Sequence, residues 1–128
     1  MKYIKLSTIL IAFICFAMQC KKEEVQQIPA EIELYGTISD KQTNLPLSGV
    51  IVQLSRQANF YVFSVAETHT DTLGKYDLKF QPDNSSGYFL GFTKAYYAGE
   101  PRYIDSYKAK QEFNLQLLRD STNWVNKK

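Results

Sequence analysis

The chemistry open to this chain is narrow. His69 is its only histidine, so a zinc site or a Ser-His-Asp triad would have to be centred on it. Zinc hydrolysis needs several His and Glu ligands around one ion, and the chain lacks that set; His69 is read as a polar residue at a strand end. Asp40 and Asp71 open two loops and could offer carboxylate oxygens to calcium. No EF-hand spacing accompanies them, and Asp at a loop start bonds its own backbone. Lys75 and Lys79 could enter isopeptide cross-links only from an apolar pocket beside a carboxyl group, yet alternation turns both outward. Tyr96, Tyr97, Tyr103, Tyr107 and Trp124 make the C-terminal half unusually aromatic. They form a candidate ligand patch, either a stacking platform for a sugar or a hot spot for a protein. The alternative is that they close the open end of a sandwich. No catalytic constellation, cofactor site or metal site is expected, and the chain is read as a non-enzyme.

The elements that must position these residues are strands. From Tyr35 to Leu54 a short strand leads into a polar loop with Pro46 and Gly49, and then into an alternating strand with Val50, Val52 and Leu54 on one face. Pro46 fixes its own φ and pushes Leu45 toward extended geometry, while Gly49 can take a positive φ. Phe60 to Glu67 is an aromatic and β-branched run, with Tyr61, Phe63 and Val65 expected on its buried side. Asp71-Thr72-Leu73-Gly74-Lys75 is a turn signal leading into Tyr76, Leu78 and Phe80 inward, and a hairpin with the preceding strand is the simplest expectation. Gln81 to Gly87 is loop chemistry. Tyr88, Leu90 and Phe92 share a face, Arg102 to Tyr107 is either a short edge strand or an ordered loop, and Phe113, Leu115 and Leu117 alternate in a last strand. About seven short strands and no helix beyond the N-terminal segment predict an all-β chain, a single seven-stranded Greek-key β-sandwich of prealbumin-like type.

The N-terminus gives an address. Lys2 and Lys5 precede an apolar run from Leu6 to Met18, which is shorter than the roughly 20 residues of a transmembrane helix and has the form of a secretory signal. At Ala17-Met18-Gln19-Cys20 it resembles a bacterial lipoprotein signal, in which the Cys is acylated and becomes the mature N-terminus. Met18 and Gln19 depart from the small residues usual there, and the other reading is an ordinary cleaved signal with an incidental Cys. Cleavage before Cys20 leaves one thiol and no internal disulfide. Lipidation at Cys20 would anchor the chain to a membrane. The cluster Lys21-Lys22-Glu23-Glu24 loosely resembles a surface-display signal of some Gram-negative bacteria, so the expected location is their cell envelope, with the outer membrane preferred. Without Lys2 and Lys5 the basic count of 15 falls to 13, equal to the 13 acidic residues. That balance gives no support to nucleic-acid binding. The expected organisation is a signal over 1–19, a lipidated Cys with a polar tether over 20–31, the sandwich over 32–118 and a polar tail over 119–128.

Three blocks in order, Gly36-Thr37-Ile38-Ser39-Asp40, Leu45 to Leu54, and Thr70 to Leu78, resemble the carboxypeptidase regulatory-like domain, whose fold is transthyretin-like. The resemblance implies a folding, docking or presentation module with no family-wide catalytic residue. Gly36, Pro46, Gly49, Asp71 and Gly74 match its motif and carry over as turn-forming residues. The expected function is a non-catalytic, lipid-anchored binding or assembly module of the cell envelope, with an envelope protein or glycan as partner. A small carbohydrate-binding module, or an accessory subunit or inhibitor of an envelope hydrolase, are the alternatives.

Overall fold

The computed structural model describes residues 24–83 and 87–120. Cys20 and Trp124 lie outside the described residues. Within them the chain forms nine strands and no helix: β1 (Ile32–Asp40), β2 (Ile51–Ala58), β3 (Tyr61–His69), β4 (Lys75–Phe80), β5 (Gly87–Thr93), β6 (Tyr97–Ala98), β7 (Arg102–Tyr103), β8 (Lys110–Glu112) and β9 (Leu115–Arg119). The all-β sandwich holds, with more strands than the seven expected. One sheet has the order β4-β1-β9-β6, with β8 also on β1, and the other β3-β2-β5-β7.

The alternating strands bury the faces their sequence marks. Val50, Val52, Leu54, Tyr76, Leu78, Phe80, Tyr88, Leu90, Phe92, Leu115 and Leu117 all lie in the core. Phe113 is only partly buried, because it falls between β8 and β9 rather than inside a strand. β1 adds Ile32, Leu34 and Ile38, which are fully buried. Its inward row reads Ile32, Leu34, Gly36, Ile38, Asp40, so a glycine and a carboxylate interrupt the apolar signal.

Gly36 stands inside β1 and not in a turn, which corrects the expectation. The strand predicted around Phe113 is broken in two there: β8 runs parallel to Glu33–Tyr35 and β9 parallel to Ile38–Asp40, both against β1. At the break the Phe113 amide donates to the Tyr35 carbonyl (2.9 Å). The Thr37 amide turns instead to the Asn114 side-chain oxygen at 2.9 Å. The Phe113 carbonyl occupies the space where a Cβ on residue 36 would lie.

The expected β3–β4 hairpin does not form. β3 pairs with β2, from Ile51 opposite His69 to Ala58 opposite Tyr61, and β4 pairs with β1. Thr70 explains the separation, because its amide donates to the Val50 carbonyl, and its hydroxyl accepts from the Val50 amide and donates to the Leu47 carbonyl. The chain is thus held against the start of β2 before it crosses to the other sheet. In the crossing Asp71 accepts from the Leu73 and Lys75 amides, each at 2.9 Å. Gly74 has a φ of 72°, and its carbonyl receives the Ile38 amide at 2.8 Å.

These registers give the sandwich two poles. β1 starts beside the end of β4, with Ile32 opposite Phe80. The Phe80 and Tyr88 rings meet at 4.9 Å, and Tyr88 lies opposite Arg56, which lies opposite Phe63. The Ile104 amide donates to the Tyr88 carbonyl and the Glu33 amide to the Ala109 carbonyl. The start of β1, the β2–β3 turn and the 104–109 loop therefore share one pole. Asp40, Pro46, Gly49, Thr70, Gly74 and the Lys94–Tyr97 turn share the other.

Candidate functional site

β3 differs from every other long strand because neither of its sides is covered along its first half. Phe60 in the turn is 98% exposed, and Tyr61 (69%), Val62 (60%), Phe63 (44%) and Val65 (39%) follow it. Tyr61, Phe63 and Val65, expected in the core, are thus solvent-facing. Two features of position cause this. β3 is the outer strand of its sheet, and the pair Ala58–Tyr61 lies beyond Gln57–Gly87, the last pair that joins β2 to β5. The hairpin overhangs the sheet that supports it.

Local geometry fixes the overhang. The turn between β2 and β3 has two residues, Asn59 and Phe60, with Asn59 at a φ of 57°, a region that Asn tolerates better than most residues. Leu54 lies opposite Ala66 but Ser55 opposite Ser64, so Val65 is an extra residue in a β-bulge. A bulge bends its strand and re-aims side chains. Gln53 ties the bulge down through its amide nitrogen, which donates to the Ser64 hydroxyl at 3.1 Å. One side of Phe63 carries the Arg56 guanidinium, 5.2 Å from the ring centre, and Arg56 is held by Asp83 at 2.7 Å. The ring of Tyr61 stands 6.4 Å from that of Phe63.

The result is an apolar edge. From Tyr61 to Ser64, ahead of the bulge, the strand contains no charge, no proline and no irregularity, three of the devices that commonly stop an edge from pairing with another chain. An extended segment can add to such an edge through its backbone, with the exposed rings supplying contact area.

The residues singled out by type fall elsewhere. His69 lies at the far end of β3, with Nε2 3.8 Å from Glu67, beside an open cleft of about 640 Å³ that passes Tyr35, Asp77 and Glu112. Among the described residues no group of three His, Cys, Asp or Glu gathers as a metal site would require. Asp40 is buried, and its oxygens face protein donors: the Gln42 and Thr43 amides on one and the Tyr97 hydroxyl (2.8 Å) on the other. The Tyr97 hydroxyl first, and the Gln42 amide next, hold the Asp40 carboxyl below its ordinary value, and Asp40 pushes Tyr97 upward in return. Burial raises Tyr76, whose hydroxyl donates to the Phe113 carbonyl. Lys75 and Lys79 face solvent on β4.

The C-terminal tyrosines are not brought together. Tyr97 turns in toward Asp40, and Tyr96 sits in the adjoining turn with a φ of 66°. Tyr103 lies against Phe89 with ring centres 6.2 Å apart, while Tyr107 belongs to the loop at the opposite pole. The apolar hairpin, and not this set, is the largest exposed aromatic feature among the described residues. Its signal was present as four consecutive apolar residues, Phe60 to Phe63, where alternation should have shown a polar side.

The fold places the chain among two-sheet β-sandwich proteins. No family model matches it, and no curated protein sequence matches it. Solved structures do: the C-terminal domain of the shaft pilin SpaA from Lactobacillus rhamnosus GG aligns at 14% identity over 72% of this chain and 100% of that one, with a TM-score of 0.51. A longer SpaA structure, a double mutant, aligns at 12% identity over 72% of this chain and 52% of that one, with a TM-score of 0.51. The group B streptococcus pilus 2b backbone protein aligns at 16% identity over 70% of this chain and 41% of that one, with a TM-score of 0.50. At these identities the likeness is one of fold.

Proposed function

We propose that this chain is a non-catalytic, lipid-anchored binding or assembly module of the bacterial cell envelope, related to the carboxypeptidase regulatory-like domains, and that the β2–β3 hairpin is its contact surface. The observation that carries the reading is the uncapped apolar edge of β3, exposed on both sides where the other long strands bury one. The sandwich it shares with pilin domains supports a role in presentation at a cell surface. The lipoprotein-like signal ending at Cys20 supplies the attachment, to the outer membrane of a Gram-negative cell, and residues 21–31 supply the tether.

The proposal is tested in intact membranes with a photo-crosslinking residue at Val65, and a control at Leu73, which is exposed at the opposite pole. Adducts at 65 and none at 73 are expected. Equal labelling at both positions would remove the hairpin from the proposal. Cys20→Ala should release the protein from the membrane fraction, and its retention there would remove the anchor.

A further inference from the structure

We infer that the tip of the β2–β3 hairpin, as distinct from the edge behind it, dips into the headgroup zone of the bilayer to which the chain is anchored. This rests on the lipid-anchor reading and adds to it a second, sequence-distant membrane contact.

The tip and the tether leave the domain at the same pole, as the register from Ile32 through Phe80, Tyr88 and Arg56 to Phe63 requires. Eleven residues separate Cys20 from Ile32, a chain that spans at most about 40 Å when fully extended. β1 alone, with nine residues, takes up about 30 Å of the height of the domain. Facing the bilayer with the opposite pole would oblige the tether to run back along the whole sandwich, whereas facing it with the hairpin pole leaves the tether slack. The turn residues Asn59 and Phe60 stand two strand steps past the last β2–β5 pair, at Gln57, a projection of roughly 7 Å at strand rise. Interfacial segments bury their apolar side about 5–10 Å deep.

The chemistry of the pole fits that medium. Phe60, Tyr61 and Val62 are exposed at the tip, and Tyr107, half exposed, adds a second ring from the neighbouring loop. Aromatic residues of this kind gather at membrane interfaces, where an apolar body meets headgroups and a hydroxyl stays wet. Three ion pairs form at this pole within the protein: Arg56 with Asp83, Lys108 with Asp105 and Lys110 with Glu33. With those charges held in pairs, the rings at the tip drive the insertion, and salt should weaken it little.

The experiment uses the full lipidated protein, extracted and reconstituted into phosphatidylethanolamine–phosphatidylglycerol vesicles with brominated acyl chains. A polarity-sensitive dye is placed at Phe60→Cys or, as the control pole, at Leu73→Cys. Blue-shifted emission at 60 with at least about threefold quenching by bromine, and water-like emission at 73, is expected for interfacial depth. Adding Phe60→Asp beside a dye at Val62→Cys should cut that quenching at least about threefold, which separates the protein's own insertion from the dye's. Water-like, unquenched emission at 60 from protein that still floats with the vesicles overturns the inference and leaves the anchor standing. A blue shift without quenching means that a second copy covers the tip, and also overturns it. Protein that fails to float overturns the anchor and the inference together.

Discussion

At the scale of single residues, three glycines that look alike in sequence are needed for different reasons. Gly74 has a positive φ, and a Cβ there would strike the Ile38 carbonyl; Gly36 has an ordinary φ but no room beside the Phe113 carbonyl; Gly49 has a positive φ, and a Cβ there would meet only the Lys94 Nζ, at an ordinary 3.9 Å. Gly74→Ala and Gly36→Ala are each expected to cost about 2–3 kcal/mol or more, and Gly49→Ala only about 1 kcal/mol, the backbone strain alone. Urea unfolding of the three variants checks the order, and a Gly49 variant as damaging as the others would contradict it. Asp40 makes a second prediction. Its carboxyl is held below an ordinary value of 3.8 by the Tyr97 hydroxyl and the Gln42 amide. The unfolded chain therefore takes up the proton more readily. The stabilisation is complete above the ordinary value and is lost as pH falls through the lowered one. Tyr97→Phe should flatten the acid limb of a melting-temperature profile between about pH 2 and 5 while leaving Asp40 its amide donors. An unchanged limb would show that the hydroxyl plays no part.

At the scale of elements, what was legible is what alternation encodes. β4 has an apolar row that a polar row interrupts, β2 nearly so, and in β5 the large side chains Tyr88, Leu90 and Phe92 alternate with a row that holds two glycines; each buries the row expected. Alternation names a face, not a neighbour, so the turn at Asp71 to Gly74 looked like a hairpin although it joins two sheets. Thr70, whose four hydrogen bonds to Leu47, Gly49 and Val50 hold the end of β3 to the start of β2, gives no sign of this in a one-dimensional pattern. β1 was half legible, because Gly36 and Asp40 fill inward positions for reasons of close approach and hydrogen bonding. In β3 hydrophobicity points to burial, whereas position at an overhanging edge decides exposure. Val62→Lys should change stability by no more than about 0.5 kcal/mol, as surface substitutions do. It should also suppress association on warming, because an inward or edge lysine blocks strand addition. Ala66→Lys, one turn of the pleat behind the bulge and packed on the core, should instead unfold the domain. Denaturation curves and light scattering on the pair settle it, and association that persists in Val62→Lys would mean that the edge is not the adhesive surface.

At the scale of the whole molecule, the fold is closed by its last strands. β1 is central to its sheet, and the partners it needs on one side, β8 and β9, lie at residues 110–119. β9 also carries Leu115 and Leu117 into the core and gives β6 its partner. Until it arrives, the C-terminal half of β1 has no neighbour on that side and Ile38 faces a gap. Pairings this distant in sequence make folding slow, on a scale of about milliseconds to seconds, because loop closure is costly before contacts repay it. A chain ending at Asn114 keeps β2, β3 and β5, yet loses two buried leucines at about 2–5 kcal/mol each, comparable with the whole stability of a small domain. It should therefore be open to protease throughout β1 and β4, with the β2–β3–β5 sheet too little covered to survive alone. Leu117→Ala in the full chain should lower stability by about 2–5 kcal/mol without abolishing folding. A truncated chain that resists protease as the full one does would show that the two sheets close without β9, and that the order of assembly argued from β1 is wrong.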